Sequence, residues 1–315
     1  YNLGISSATI RNEMSDLEEM GFILQPHASS GRIPSDMGYR LYVDHLMQKK
    51  ELGEEEQRYL QSIISRDISQ IEFLMEETAK ALSVLTNYTT IISEPKGQRT
   101  RMKQIRLIPL DSASVLLVIA TEGNFIKNHV IKMGCVPTEE KIFDIGFCLN
   151  RLLQGCALRE IDTLLVARMQ EELWEYRELL PPILKAIETT MRSAEKVQLH
   201  MSGTKNILAF PEFAEIQKAK SLFQALEEKD VLVTLLEESK NNDLQVLIGS
   251  ENTVQSMQDC SVITATYKMG DNTRGTIGIV GPTRMDYSQV ISVLNGMVQN
   301  IEKVLKNLSD GDKNT

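Results

Sequence analysis

The 315-residue chain has no apolar run approaching the roughly 18–20 residues a membrane-spanning helix needs. Its opening residues show no signal-peptide pattern either. There are four cysteines, Cys135, Cys148, Cys156 and Cys260, and no two are spaced as Cys-x-x-Cys. The four histidines, His27, His45, His129 and His200, are scattered. That poverty argues against a metal centre or a redox pair. The cysteines read as reduced, mostly buried side chains of a cytoplasmic protein. Enzyme signatures are missing as well: no Gly-x-Ser-x-Gly, no His-Glu-x-x-His, no Gly-Lys-Ser/Thr phosphate loop. No catalytic residue, cofactor or metal is therefore expected. The carboxylate runs Glu54–Glu56, Glu227-Glu228 and Glu237-Glu238 read as solvated helix faces. Aromatics are few, and Trp174, the single tryptophan, is expected in a core or dimer contact rather than stacked on a ligand.

Positive charge is also scarce. The formal net charge is −9. Residues 1–50 hold five basic side chains (Arg11, Arg32, Arg40, Lys49, Lys50) against six acidic ones (Glu13, Asp16, Glu18, Glu19, Asp36, Asp44). A nucleic-acid binder with so few cations has to place them locally at phosphates and to act through more than one copy.

What the chain does have begins at its front. Ser6 is a good N-cap and Gly21 a good C-terminal stop, so the spacing predicts a helix between them. Ile10, Met14 and Leu17 fall at i, i+4, i+7 and are expected to form its buried stripe. The opposite face carries Ala8, Asn12, Ser15 and Glu19, with Arg11 and Thr9 on its flanks, and Ser7, Ala8, Arg11, Asn12 and Ser15 are the groove-facing candidates. Small residues permit close approach to base edges, and Arg and Asn pair bidentately with guanine and adenine. Thr9 suits a phosphate contact. An ordinary amphipathic surface helix reads equally well from this segment alone. The following residues tip the balance: Phe22-Ile23-Leu24 has strand character, Ser29-Ser30-Gly31 is turn chemistry, and Arg32-Ile33-Pro34 begins the return. Ser35 or Asp36 then caps a further helix, with Tyr39, Tyr42, Val43 and Leu46 on one face. Helix, hairpin with a basic tip, helix is the order of a winged helix. Its candidate wing residues are His27, Ser29, Ser30, Gly31 and Arg32.

The runs 6–14, Gln25-Pro26-His27 with Ser30–Ser35, and Gly38–Asp44 resemble the HrcA family of bacterial heat-inducible transcription repressors. So does Gly275–Tyr287 far downstream and, more weakly, Asn206-Ile207-Leu208 with Pro211-Glu212-Phe213. The chain opens on Tyr1 inside what reads as the middle of the winged helix. The resemblance implies two helices ahead of this point, so the module is expected to be N-terminally incomplete and to bind DNA weakly in this form. It further implies repression of chaperone operons (groE and dnaK classes) through double-stranded DNA bearing an inverted-repeat operator. A homodimer, release on heat stress and restoration by the GroE chaperonin complete the expectation, with no membrane involved. The alternative is a small-molecule-responsive regulator with an effector in a sensor pocket.

Downstream, Leu60, Ile64, Ile68, Ile71, Met75, Leu82 and Leu85 recur at helical spacing over 54–85, as a core or a dimer helix. Tyr88–Ser93 reads as a strand. Ile105–Leu110, Ser114–Ala120 and Phe125–Met133 read as an antiparallel meander, followed by helices over 138–153, 158–169 and 173–196, the last interrupted by Pro181-Pro182. Residues 200–209 hold a short strand and 211–237 are helical. Three strands, 244–249, 261–268 and 276–280, precede a final helix at 287–308. The expected fold is α+β. A partial winged helix-turn-helix (1–50) precedes a GAF-like α/β domain (54–99 plus 199–308), which carries an inserted α+β dimerising domain (100–198), and 309–315 forms a tail. Gly275, Gly278 and Gly281 lie along a strand and lead into Pro282, so they suit close packing rather than a dinucleotide. Asp286 reads as a helix cap and Arg284 as half of an ion pair. Alternatively, Thr283, Arg284 and Asp286 form an interdomain or dimer contact.

Overall fold

The computed structural model describes residues 4–26, 30–48, 50–64, 71–97, 101–121, 126–134, 136–195, 197–237, 243–269 and 273–311. The chain is mixed α+β and divides into two compact units: Tyr1–Pro95 with Gln198–Thr315, and Lys96–Val197.

The first unit is built on a sheet whose strands run antiparallel in the order Leu199–Ser202, Thr89–Ser93, Thr273–Pro282, Cys260–Met269, Leu244–Ile248. Period-two alternation sends Ile92, Ile263, Tyr267 and Ile277 to one face and Ile91, Val262 and Val280 to the other. Helices Glu54–Ile64, Ile71–Thr86 and Tyr287–Gly311 cover the first face with Leu60, Met75, Leu82 and Leu294. Helices Ile216–Glu227 and Lys229–Glu237 cover the second with Leu222, Leu226 and Leu235. The apolar repeat over 54–85 is thus two core helices; Ile68 lies outside the described residues. Gly275 sits opposite Tyr267 in the strand register, where a Cβ would overlap the buried ring. Packing is indeed what that glycine serves.

In front of this sheet stands the short helix–hairpin–helix segment. Helix Ser7–Glu19 starts at Ser6, whose Oγ accepts from the Thr9 N–H at 3.1 Å. It ends at Gly21, where φ is +80°. Strands Ile23–Leu24 and Ile33–Pro34 pair antiparallel. Ser35 caps helix Asp36–Leu41 by accepting from the Gly38 N–H at 3.1 Å.

Two expectations fail here. Ile10 of the anticipated buried stripe is 39% exposed, like its neighbours over 4–13, and Met14 and Leu17 are only half-buried. Tyr42 and Leu46 do not share the face of Tyr39 and Val43. Residues Tyr42–Leu46 form a π-helical turn, closed by the Met47 N–H donating to the Tyr42 carbonyl at 2.7 Å. The wider turn brings Tyr39, Val43 and Met47 onto the core and swings Tyr42 and Leu46 outward.

The second unit is a three-stranded antiparallel meander, Met102–Asp111, Ser114–Thr121 and Ile126–Lys132, backed by helices Glu139–Leu153, Thr163–Glu172 and Leu180–Glu195. Strict alternation buries Val115, Leu117, Ile119 and Thr121 of the middle strand. The helical stretch 173–196 is broken just ahead of its prolines: a 3₁₀ turn, Trp174–Tyr176, precedes helix Leu180–Glu195, and Pro181 and Pro182 occupy that helix's first turn, where their missing N–H groups cost nothing. Asn150 projects from its helix to the edge strand, accepting from the Ile105 N–H at 2.7 Å and donating to the Ile105 carbonyl at 2.6 Å. Trp174 is not in the core: it is 64% exposed, with the Arg177 guanidinium 4.3 Å from its ring centre. Its short 3₁₀ turn points it outward. Cys148 and Cys260 are buried and Cys156 is half-buried, all free thiols, while Cys135 lies outside the described residues.

Candidate functional site

The helix Ser7–Glu19 holds every groove-facing candidate on its solvent side. Ser7, Ala8, Thr9, Arg11, Asn12 and Ser15 are all exposed. Thr9 already shares a hydrogen bond with Ser6 through their hydroxyls, at 2.8 Å. Arg11 and Asn12 are neighbours on the chain and make no side-chain hydrogen bond to a described residue.

Of the wing candidates, His27 and Ser29 lie outside the described residues. Ser30 is half-buried, and its carbonyl accepts from Gln25 Nε2 at 3.2 Å, closing the hairpin base. Gly31 is exposed. Arg32 is not a free cation: its guanidinium pairs with Glu18 at 2.7 Å and ties the hairpin to the helix.

The polar cluster before the last helix does what its residue types suggest. Asp286 Oδ1 accepts from the Gln289 N–H at 3.1 Å, capping helix Tyr287–Gly311, while Oδ2 pairs with Lys50 at 2.7 Å. Burial raises the Asp286 carboxyl pKa, but Lys50 and the Gln289 amide outweigh it and hold the group below its usual range. Arg284 forks onto Glu212. The Thr283 carbonyl accepts from the buried Tyr287 hydroxyl at 2.5 Å. Ser288 and Ser292 hydroxyls donate to the carbonyls of Gln48 and Lys50, at 2.6 and 2.5 Å, so the linker after the π-helical turn is laced to the last helix.

A second set of contacts was missed from sequence. Helix Asp36–Leu41 docks on the turn Gly249–Glu251 at the end of strand Leu244–Ile248. Asp36 Oδ2 accepts from both the amide and the hydroxyl of Ser250, each at 2.9 Å. Arg40 forks onto Glu251 and donates to the Val246 carbonyl at 2.6 Å and to Asp44 at 3.3 Å. Burial raises the Glu251 carboxyl pKa, but the Arg40 guanidinium and the Ile248 N–H prevail and lower it; Glu251 in turn raises Arg40. Gly249, at φ +54°, has no room for a Cβ, which would overlap the Asp36 carboxylate. Tyr39 packs on Tyr287 with ring centres 6.0 Å apart. The partners lie more than 200 residues apart in sequence, beyond the reach of any periodicity.

Comparison with known proteins places these features in a family. The model of the HrcA protein C-terminal domain matches residues 72–291. The heat-inducible transcription repressor HrcA of Clostridium botulinum (strain Alaska E43 / Type E3) is 40% identical over 311 residues, covering 98% of this chain and 90% of that one. Its counterpart in Lachnoclostridium phytofermentans is 39% identical over 313 residues, with 98% and 90% covered. That of Clostridium tetani is 40% identical over 308 residues, with 97% and 87% covered. A crystal structure of a hypothetical protein at 2.2 Å resolution superposes with a TM-score of 0.65 at 23% identity, covering 98% of this chain and 90% of that one, and so shares the fold. Among the described residues no helix is long and apolar enough to cross a membrane. With the C-terminal domain model matched over most of the chain, and relatives near 40% identity along nearly all of it, the chain belongs to the HrcA family of heat-inducible transcription repressors.

Proposed function

We propose that the protein represses chaperone operons in the cytoplasm by binding an inverted-repeat operator as a homodimer, each protomer laying helix Ser7–Glu19 in a major groove. The observation that carries this reading is an exposed helix face bearing Arg11 and Asn12, with the capped, small-residue N-terminus beside it. Arg11 and Asn12 read base edges, Ser7, Ala8 and Ser15 let the helix approach, and Thr9 meets a phosphate. The hairpin acts as the wing, through His27, Ser29, Ser30, Gly31 and Arg32. Arg32 gains a phosphate there at the expense of its pair with Glu18, an exchange of one charged partner for another.

The scarcity of cations makes two copies necessary, since one protomer neutralises few phosphates. Residues 1–50 serve as a partial winged-helix module, 54–99 plus 199–308 as a GAF-like domain, and 100–198 as the inserted dimerising domain. Phe143 and Phe147, one helical turn apart, are 69% and 65% exposed on the second unit, an apolar pair that supports self-association there. Heat shifts a two-state equilibrium away from the DNA-competent form, and the GroE chaperonin restores it. A gel shift of the full-length protein on chaperone-operon promoters tests the reading. Binding to the inverted repeat well above scrambled DNA is the expected result. Equal retardation of both sinks it.

A further inference from the structure

We propose that helix Asp36–Leu41 is a rigid coupling between the recognition helix and the sheet, and that Asp36 and Arg40 are positioning residues which set the half-site separation the dimer accepts. The inference rests on the reading that helix Ser7–Glu19 binds DNA in a dimer.

One end of the coupling holds the recognition segment. The Ser35 hydroxyl donates to the Gly21 carbonyl at 2.6 Å, just beyond the C-terminus of helix Ser7–Glu19, and the Ser35 N–H donates to the Phe22 carbonyl at 3.0 Å. Gly38 lies so close to Phe22 that a Cβ would overlap its carbonyl oxygen. The other end holds the sheet: Asp36 takes Ser250, and Arg40 takes Glu251 and Val246. The two sets of contacts leave a helix of six residues from opposite sides. Little backbone intervenes between them, so the helix has little freedom to pivot about either. Beyond it, the linker carbonyls at Gln48 and Lys50 are fixed by Ser288 and Ser292. A reading head on a loose tether would tolerate many operator spacings. One held at both ends should tolerate few, because each added base pair moves a half-site by about 3.4 Å and turns it by about 34°.

The experiment measures affinity for a series of inverted repeats whose spacer is lengthened or shortened one base pair at a time. The wild type should lose about tenfold for the first step away from its optimum, and Arg40→Gln and Asp36→Ala should each flatten the profile to within about threefold. Arg11→Ala serves as the control, lowering affinity at every spacer without changing the shape of the profile. Hydrogen exchange on the same free proteins should show faster exchange over 249–251 in the two variants, with the rest of the sheet protected as in the wild type. That arm separates an uncoupled module from an unfolded one. A wild-type spacing profile retained by Arg40→Gln and Asp36→Ala overturns the proposal, as does a wild type indifferent to spacing. Failure of the wild type to prefer any inverted repeat over scrambled DNA overturns instead the reading on which the proposal rests.

Discussion

Replacing Gly249 by alanine separates backbone strain from a steric contact at the turn that receives Asp36. At φ +54° an L-residue pays about 1 kcal/mol for the left-handed conformation. The new Cβ also overlaps the Asp36 carboxylate, which must withdraw from the Ser250 amide and hydroxyl. Both bonds are solvent-exposed, so each is worth about 0.5–1 kcal/mol after screening. Gly249→Ala should therefore cost about 2–3 kcal/mol, which is roughly 5–10 °C in Tm for a unit of some 200 residues. Asp36→Ala alone loses only the two bonds, about 1–2 kcal/mol. In the double variant those bonds are lost once rather than twice. The two changes should thus fall short of additivity by about 1–2 kcal/mol. Circular dichroism melts of the four proteins complete the cycle, and the fluorescence of Trp174, which lies in the other unit, serves as an internal reference. Strict additivity would refute the contact and leave only the backbone term.

Arg11→Ala and Asn12→Ala should each weaken operator binding by about 1–3 kcal/mol and relax base preference, read by competition with base-substituted operators; if both leave binding intact, another helix face does the reading. Phe143→Ser combined with Phe147→Ser alters exposed side chains, so stability should hold within about 0.5 kcal/mol. Sedimentation should shift to the monomer and operator affinity should fall, whereas an unchanged dimer would remove this face from the interface. The lowered pKa of Glu251 adds stability above its ordinary value near 4.5, and that contribution disappears as the pH falls through the lowered value. Glu251→Gln should flatten the acid limb of the stability curve, and an identical limb would refute the pairing. Burial pushes the Cys260 thiol up to about 12. Iodoacetamide at pH 8 should accordingly spare Cys260 until the protein unfolds, and prompt labelling in the native state would contradict its burial.

Local chemistry made much of this fold legible. Ser6, Gly21 and Ser35 announce helix ends through groups within three residues of themselves. The alternation in 114–121 fixes which side of the meander is buried. The failures share a cause. A π-helical turn replaces the 3.6-residue period over 42–46, and no apolar count reveals that in advance. Arg32 and Glu18 meet across 14 positions, and Asp36 and Arg40 find partners more than 200 positions away. Charged residues carry no sign of their partner in one sequence, so nothing near Arg32 points to its pairing with Glu18. Of the two places expected for Trp174 in its helical block, the core is excluded by its exposure, because a 3₁₀ turn points it outward.

The order of strands has a consequence for the protein's synthesis. Strand Thr89–Ser93 is buried along its whole length, and both of its neighbours, Leu199–Ser202 and Thr273–Pro282, are made after it. The second of them arrives roughly 180 residues later, about ten to forty seconds at ordinary elongation rates. The meander Met102–Lys132 and the helices that follow it to Glu195 lie in one continuous stretch, and its three strands pair only with one another. On the ribosome, then, the later-made meander has its strand partners first, while Ile91 and Ile92 wait with apolar, β-branched surface uncovered.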